Sequence, residues 1–218
     1  MAYEYYILEG GEQRGPYTFN ELTQMDLGTH TRILSPLEET WQDACDLPEF
    51  YPYFESKGIY LPTGDNLASF GWRLMAWVID YIILSFINNF VFSALATVGF
   101  TFKLPTMDQL AKAPITDLMS MHDIFILMLI INLVMILYHA AWESSPLQGS
   151  LGKKLCRLVV VDLDGQRLTF VNAFLRNLGK IVSSTIFGIG FLNIIWNEHK
   201  QAWHDIFAKT YVVKLERQ

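Results

Sequence analysis

Three stretches of the chain are apolar over lengths that a half-buried soluble helix does not need. Leu74 to Phe102 is largely apolar, interrupted at Asn88 and Asn89, and predicts a helix ending near Gly99. It exceeds the ~20 residues required to cross a bilayer. Ile124 to Trp142 is a second such run, with Asn132 and His139 among its few polar positions. Leu178 to Trp196 is a weaker third, broken by Ser183, Ser184, Gly188 and Gly190. Around the third stretch the period changes. Leu158 to Leu163 is β-branched, Asp164-Gly165 is a strong hairpin turn, and Gln166 to Phe170 returns, which predicts a small β-hairpin. Tyr211 to Leu215 reads as a further strand. If that strand joins the hairpin, both ends of the third segment lie on one side of the membrane. Thr169 would then cap a helix running to about Phe187, with a turn at Gly188-Ile189-Gly190 and a return over Phe191 to Trp196. Such a broken helix is tolerated where protein or a wet cavity covers the opened backbone. The other reading is one simple span with an external C-terminus.

The first third of the chain has a different character. Met1 to Arg14 is polar and acidic, without the basic flank and apolar core of a signal peptide. Residues 55–66 contain Gly58, Pro62 and Gly64 and read as a linker. The division is therefore a head over 1–54, a linker over 55–66 and an apolar body over 67–218. The fold class expected is a membrane α-helical bundle of three hydrophobic segments, the third broken or re-entrant. It would carry a small cytoplasmic β-hairpin and stand behind a small soluble α+β N-terminal domain.

Composition sharpens this division. The 218 residues are 51% hydrophobic and only 17% charged, with a net charge of −6, and the mean hydropathy is +0.23. Residues 1–65 carry −9 and the rest +3, so the averages hide an acidic head and a mildly basic body. The overall acidity gives no support to nucleic-acid binding. Cys45 and Cys156 are too few and too far apart for a disulfide framework or a zinc site. Lys and Arg counts set the orientation. The loop over 103–123 has two, whereas 143–180 has six (Lys153, Lys154, Arg157, Arg167, Arg176, Lys180). The second loop, the head and the basic C-terminal tail are thus expected in the cytoplasm.

Polar residues inside a membrane are costly and call for a role. On a helix, Arg73 and Asp80 lie about 20° apart, with Asn88 within about 80° of that line. Asp80 is roughly 10 Å deeper than Arg73, which can reach back to the headgroups. Asn132, His139 and Glu143 fall within about 40° of one another on the second span, and Arg176, Lys180 and Ser183 share a stripe on the third. Three polar faces turned toward one another follow. Asp80 either pairs with Arg176, Lys180 or Arg73 and locks the bundle, or it binds a cation or exchanges a proton. A carboxylate in low dielectric with few partners suits the second task, and His139 could share it.

Several motifs match known families. Phe70-Gly71-Trp72-Arg73 through Asp80 resembles the opening span of RDD-family membrane proteins, with Arg73 and Asp80 at the Arg and the first Asp. Ser150-Leu151-Gly152-Lys153-Lys154-Leu155 with Leu158-Val159-Val160-Val161, then Leu175-Arg176-Asn177, then Ala202-Trp203-His204-Asp205 continue the resemblance, with Asp205 at the second Asp. Trp203 departs from it, standing where an aliphatic residue is usual. The resemblance implies a multi-pass protein of the bacterial inner membrane, with transport, including cation/proton antiport, proposed for the family. In the head, Tyr5-Tyr6-Ile7-Leu8, Gly15-Pro16-Tyr17, Glu21-Leu22, Gly28, Ile33-Leu34 and Trp41 resemble the bacterial GYF-like domain. That implies a protein partner, with Tyr5, Tyr17 and Trp41 as peptide-binding candidates or, in the other reading, simply as core. The Gly-Tyr-Phe stretch itself is missing, and Leu27-Gly28-Thr29-His30 stands in that region.

Two functions remain. One is a small transporter or transport subunit with Arg73, Asp80, Asn88, Asn132, His139, Arg176 and Asp205 as its polar core. The other is a membrane-anchored module that recruits a partner through the head. Lys153, Lys154 and Arg157 read as topogenic, with anionic lipid as a natural companion. Ser150 and Lys153 have Ser-x-x-Lys spacing, and His199, His204 and Asp205 are a weak metal pattern. No catalytic group, metal ligand set or cofactor is expected, and the chain reads as no enzyme. The partners expected are the lipid bilayer, further copies of the chain, since so small a bundle needs them to form a pathway, and a protein at the head.

Overall fold

The computed structural model describes residues 4–99, 121–185 and 188–215, so nearly all of the loop expected over 103–123 lies outside them. The head is an antiparallel sheet in the order β2-β1-β3-β4. Its strands are β1 (Tyr5–Glu9), β2 (Glu12–Tyr17), β3 (Arg32–Leu34) and β4 (Gln42–Asp43). The helix α1 (Phe19–Gln24) follows β2. Thr18 starts it. Its Oγ1 accepts from the Glu21 N–H at 3.3 Å, and the Glu21 carboxylate accepts from the Thr18 N–H at 2.7 Å. This reciprocal cap satisfies two donors that a helix start would leave orphaned. Tyr5, Ile7, Leu22, Ile33, Leu47, Phe50 and Phe54 form the core, closed by α2 (Tyr51–Ser56). Leu61, inside the stretch read as linker, joins that core.

In the body, α3 (Phe70–Thr97) and α4 (Met121–Glu143) are long and apolar enough to cross a membrane. Few of their positions are buried, and Phe86, Phe90, Phe125 and Met128 point outward. Lipid tolerates such a surface and water does not. The two spans hardly touch each other. Instead α3 is gripped by α5 (Leu151–Leu155), and α4 packs on α6 (Phe170–Thr185). Gly152 admits α5 to α3: a Cβ there would fall 2.2 Å from the Ala76 carbonyl oxygen and 2.8 Å from Asp80 Cγ.

Thr169 starts α6 as expected, its Oγ1 accepting from the Asn172 N–H at 3.2 Å. After α6 the chain reverses at Gly188, whose φ of +72° suits glycine. It continues in α7 (Ile189–Leu192), and the segment Ile189–Ile195 is bent 113° from α6. The third segment is therefore broken. After it come α8 (Trp203–Phe207) and β6 (Tyr211–Lys214).

The small sheet differs from the expected hairpin. β5 (Leu158–Val161) pairs with β6, Val160 standing opposite Val212. The turn at Asp164-Gly165 forms, with the Asp162 carboxylate accepting from the Asp164 and Gln166 N–H groups at 3.0 and 2.8 Å. The returning arm contributes one bridge, Arg167 to Val161, among the described residues. The physical reason is local. Thr169 launches α6 before the arm can lengthen, and the Val160 N–H is already taken by the Gln148 carbonyl at 2.6 Å. On the far edge of β6, Leu67 bridges Val213. Since β5 and β6 flank the third segment, their pairing brings both its ends to one end of the bundle, beside the start of α3. Both faces of the sheet are covered. Leu158, Val160 and Val212 meet Ala68, Ala76, Ala140 and Ala173, while Val159, Val161 and Val213 meet Tyr60 and Leu215. This is why the strand reads as an unbroken apolar run.

Candidate functional site

Three buried carboxylates gather at that end of the bundle. Two of them, Glu143 at the close of α4 and Asp205 on α8, are joined by Arg176 from the middle of α6. The Arg176 guanidinium donates to both Glu143 oxygens at 2.9 and 3.0 Å, to Asp205, and through Nε to Thr210 Oγ1 at 3.1 Å. Glu143 also takes Lys153 and the Asn177 amide at 2.9 Å, with Lys180 3.8 Å away. Asp205 takes Arg73 at 2.5 Å and the Ala202 N–H at 3.1 Å. Arg73 completes its fork on the carbonyls of Ala68 and Lys200 at 3.1 and 2.5 Å. This network ties the starts of α3 and α5, the end of α4, α6 and α8 into one knot. Burial alone would raise the Asp205 carboxyl, but the Arg176 and Arg73 cations, with the Ala202 N–H, hold it well below the usual carboxylate range. Burial pushes the Lys153 ammonium down, with Glu143 opposing it. It pushes His204 down to about 3, keeping that ring neutral beside Ser183 Oγ, 3.2 Å away.

The third carboxylate is held differently. Asp80 is 1% exposed. Its Oδ2 accepts from Ser150 Oγ at 2.5 Å, and its Oδ1 accepts from the Gly152 N–H at 2.8 Å and the Tyr138 hydroxyl at 3.0 Å. All three donors are neutral, and no cation lies within salt-bridge distance of Asp80 among the described residues. Ser150 and Gly152 stand at the start of α5, so Asp80 also closes α5 onto α3.

The expectation that Asp80 pairs with Arg176, Lys180 or Arg73 is therefore corrected. Arg73 and Asp80 do share a face of α3, but Arg73 turns back to Asp205 rather than to the headgroups. Lys153 is buried on Glu143, so of that basic cluster only Lys154 and Arg157 are exposed. The second span's polar stripe breaks. His139 and Glu143 are buried, whereas Asn132 is exposed and donates to its own helix at the Met128 carbonyl, 2.8 Å away. Asn88 is half-buried, and its Oδ1, like His139 Nδ1 and Asn177 Oδ1, is buried without a hydrogen-bond partner. In the head, Tyr5 packs its ring among Phe19 and Phe50, with centroids at 6.3 and 5.7 Å. Tyr17 is packed against the same core and Trp41 is half-buried. With Tyr5 committed to the core, the three do not make an open aromatic groove. Residues that sequence reasoning left out of the site are Ser150, Gly152, Tyr138, Glu143, Lys153, Asn177, His204 and Thr210. The Ser-Leu-Gly-Lys stretch after the second span is the available signal for Ser150, Gly152 and Lys153.

Two family models match separate parts of the chain. The GYF domain 2 family model matches residues 5–50, and the RDD family model matches residues 67–209. An uncharacterized protein of Bacillus subtilis (strain 168), YxaI, is 34% identical over 149 residues, covering 67% of this chain and 96% of its own length. No solved structure matches. With its spans, the charged residues of its Arg176-centred knot and the Asp80 cradle inside the matched region, the chain belongs to the RDD family.

Proposed function

We propose that the body is a small transport module of the bacterial inner membrane, in which Asp80 exchanges a proton or a monovalent cation. The head, the loop after α4 and the C-terminal strand would face the cytoplasm. One observation carries the reading: Asp80 is a deeply buried carboxylate held by neutral donors alone. Two of those donors are hydroxyls, Ser150 and Tyr138, whose oxygens can turn from donating to ligating when a cation arrives. Oxygen-rich surroundings of this kind suit hard monovalent and divalent cations. A proton taken up by Asp80 would occupy a lone-pair site of the carboxyl, remove its charge and weaken its acceptance from the three donors. It would thereby loosen α5 from α3, which couples charge state to the position of a loop. Because α3 and α4 hardly touch, a pathway would form between copies of the chain rather than within one.

The test is reconstitution of the purified chain into liposomes, with pH and Na⁺, K⁺ or Li⁺ readouts. Asp80→Asn keeps the size and is expected to abolish flux with membrane insertion retained and a modest drop in melting temperature, since one accepting oxygen is lost. Native flux in Asp80→Asn, or no flux of any of these ions in the native chain, overturns the reading.

A further inference from the structure

We infer that the head carries a zinc-class metal site formed by His30 Nδ1, Asp43 Oδ2 and Cys45 Sγ, oriented from the body by Asp164. The three ligand-type atoms lie within 4.8 Å of one another. They come from two short segments that the backbone pins together. The Ala44 N–H donates to the Thr31 carbonyl and the Cys45 N–H to the Thr29 carbonyl, both at 2.9 Å. The ligands thus stand on a fixed frame rather than on a loop that must be gathered.

The donor set fits the chemistry. One imidazole, one carboxylate and one thiolate are borderline to soft donors of the kind zinc takes, with solvent completing a tetrahedron. Bonds of about 2.0–2.3 Å put such ligands about 3.5 Å apart. The observed spread therefore closes by about 1 Å through rotation of side chains that are exposed or half-buried. His30 Nδ1 is already 3.1 Å from Asp43 Oδ2. Arg32 faces the other oxygen of Asp43, at 3.6 Å, and leaves Oδ2 to the site.

The second ring nitrogen supplies an independent observation. His30 Nε2 lies 3.0 Å from Asp164 Oδ1. A metal-bound imidazole characteristically gives its remaining N–H to a carboxylate, which fixes the tautomer and raises ligand basicity. Here that carboxylate belongs to the body, in the Asp162–Gly165 turn whose Gly165 carbonyl accepts from the Tyr60 N–H at 2.8 Å. Metal occupancy would therefore stiffen the junction of head and body. Asp46 and Asp164 beside the ligands make the field there negative, which favours a dication.

The experiment uses the full chain in detergent, in a Cys156→Ser background so that Cys45 is the only thiol. Zinc titration against a chromophoric chelator is expected to show one equivalent bound. Cobalt in its place is expected to give a thiolate charge-transfer band. Cys45→Ser removes the band, His30→Gln loses most of the affinity, and Asp164→Asn weakens binding about 10–100-fold with the band retained. Absence of the band, or zinc affinity unchanged in Cys45→Ser and His30→Gln, overturns the site. If either variant misfolds by circular dichroism, alkylation of Cys45 in the unaltered site decides: protection by zinc supports it, and equal labelling with and without zinc overturns it.

Discussion

Glu143 and Asp205 on one side and Asp80 on the other are buried to the same degree at the same end of the bundle, yet they are built for different tasks. The first two are surrounded by Arg73, Lys153, Arg176 and Lys180, and their bonds join segments far apart in sequence. Neither can change charge without exposing a buried cation, so this pair behaves as a clamp. Asp80 meets only hydroxyls and one peptide N–H. Its partners stand at the start of α5 and on α4, so it holds three helices by hydrogen bonds without an ion pair. Arg73 and Asp205, the matches to the family's Arg and second Asp, act together in the clamp. The first Asp stands apart from them.

The largest effect separating the two regions is expected at Arg176. Arg176→Leu strands Glu143 and Asp205 in a dry site, and removal of one partner from a buried ion network costs about 3–5 kcal/mol. Arg176→Lys does not restore it, because an ammonium cannot bridge both Glu143 oxygens while reaching Asp205 and Thr210. Thermal unfolding of the purified protein in detergent should show both variants far below native. A near-native melt for Arg176→Lys would mean that charge alone, not the planar fork, holds the clamp.

The next effect bears on the cradle. Gly152→Ala forces a methyl onto the Ala76 carbonyl, 2.2 Å away before relaxation. Overpacking of this kind costs about 1–3 kcal/mol. It should push α5 off α3 and separate Asp80 from Ser150 and Gly152, drawing Lys153 off Glu143 while the Arg176 bonds to Glu143 and Asp205 stay. The expected outcome is ion flux as low as in Asp80→Asn with a modest drop in melting temperature. Full flux in Gly152→Ala would show that the α5 contacts of Asp80 are dispensable.

The spans were legible because long apolar runs need no partner to be recognised. The register of Arg73 and Asp80 was legible for the same reason, since a helix wheel depends on spacing alone. Partners were not legible. The wheel assigns a face but does not say what stands opposite. Arg73 and Asp80, neighbours on one face, thus went to Asp205 and to Ser150 on different segments. Lys153 looked topogenic because a lysine just after a span usually is, and only the fold-back of 144–157 turns it inward onto Glu143. The returning arm after Gly165 carried β-like residues, but the helix start at Thr169 outweighed them. In the head, the aromatic pattern marked the core and was read partly as a groove, since composition does not distinguish the two.

Acid separates the regions further. Burial holds His204 at about 3 in the fold, against an ordinary value of 6.5. Between those values the unfolded chain binds the extra proton, so stability is lost as pH falls from about 6.5 towards 3, at no more than about 1.4 kcal/mol per pH unit. Asp205, lowered in the fold from an ordinary 3.8, adds a loss in the same direction only at still lower pH. His204→Asn should therefore reduce the fall in melting temperature between pH 6.5 and 4, with the second buried imidazole, His139, left to supply the remainder. An unchanged slope would place the acid sensitivity outside the clamp.

The smallest effect is expected at Asn132, which belongs to neither region. Its amide is satisfied by Met128 on its own helix, and its side chain faces outward. A substitution with no buried partner usually stays within about 0.5 kcal/mol. Asn132→Leu should melt with the native protein and carry the same flux, because in this reading the ion meets Asp80 without passing that face of α4. If Asn132→Leu instead loses flux at unchanged stability, the polar route runs along the outer side of the second span. That face would then be covered by another copy of the chain, and the cradle would be one station of a longer path.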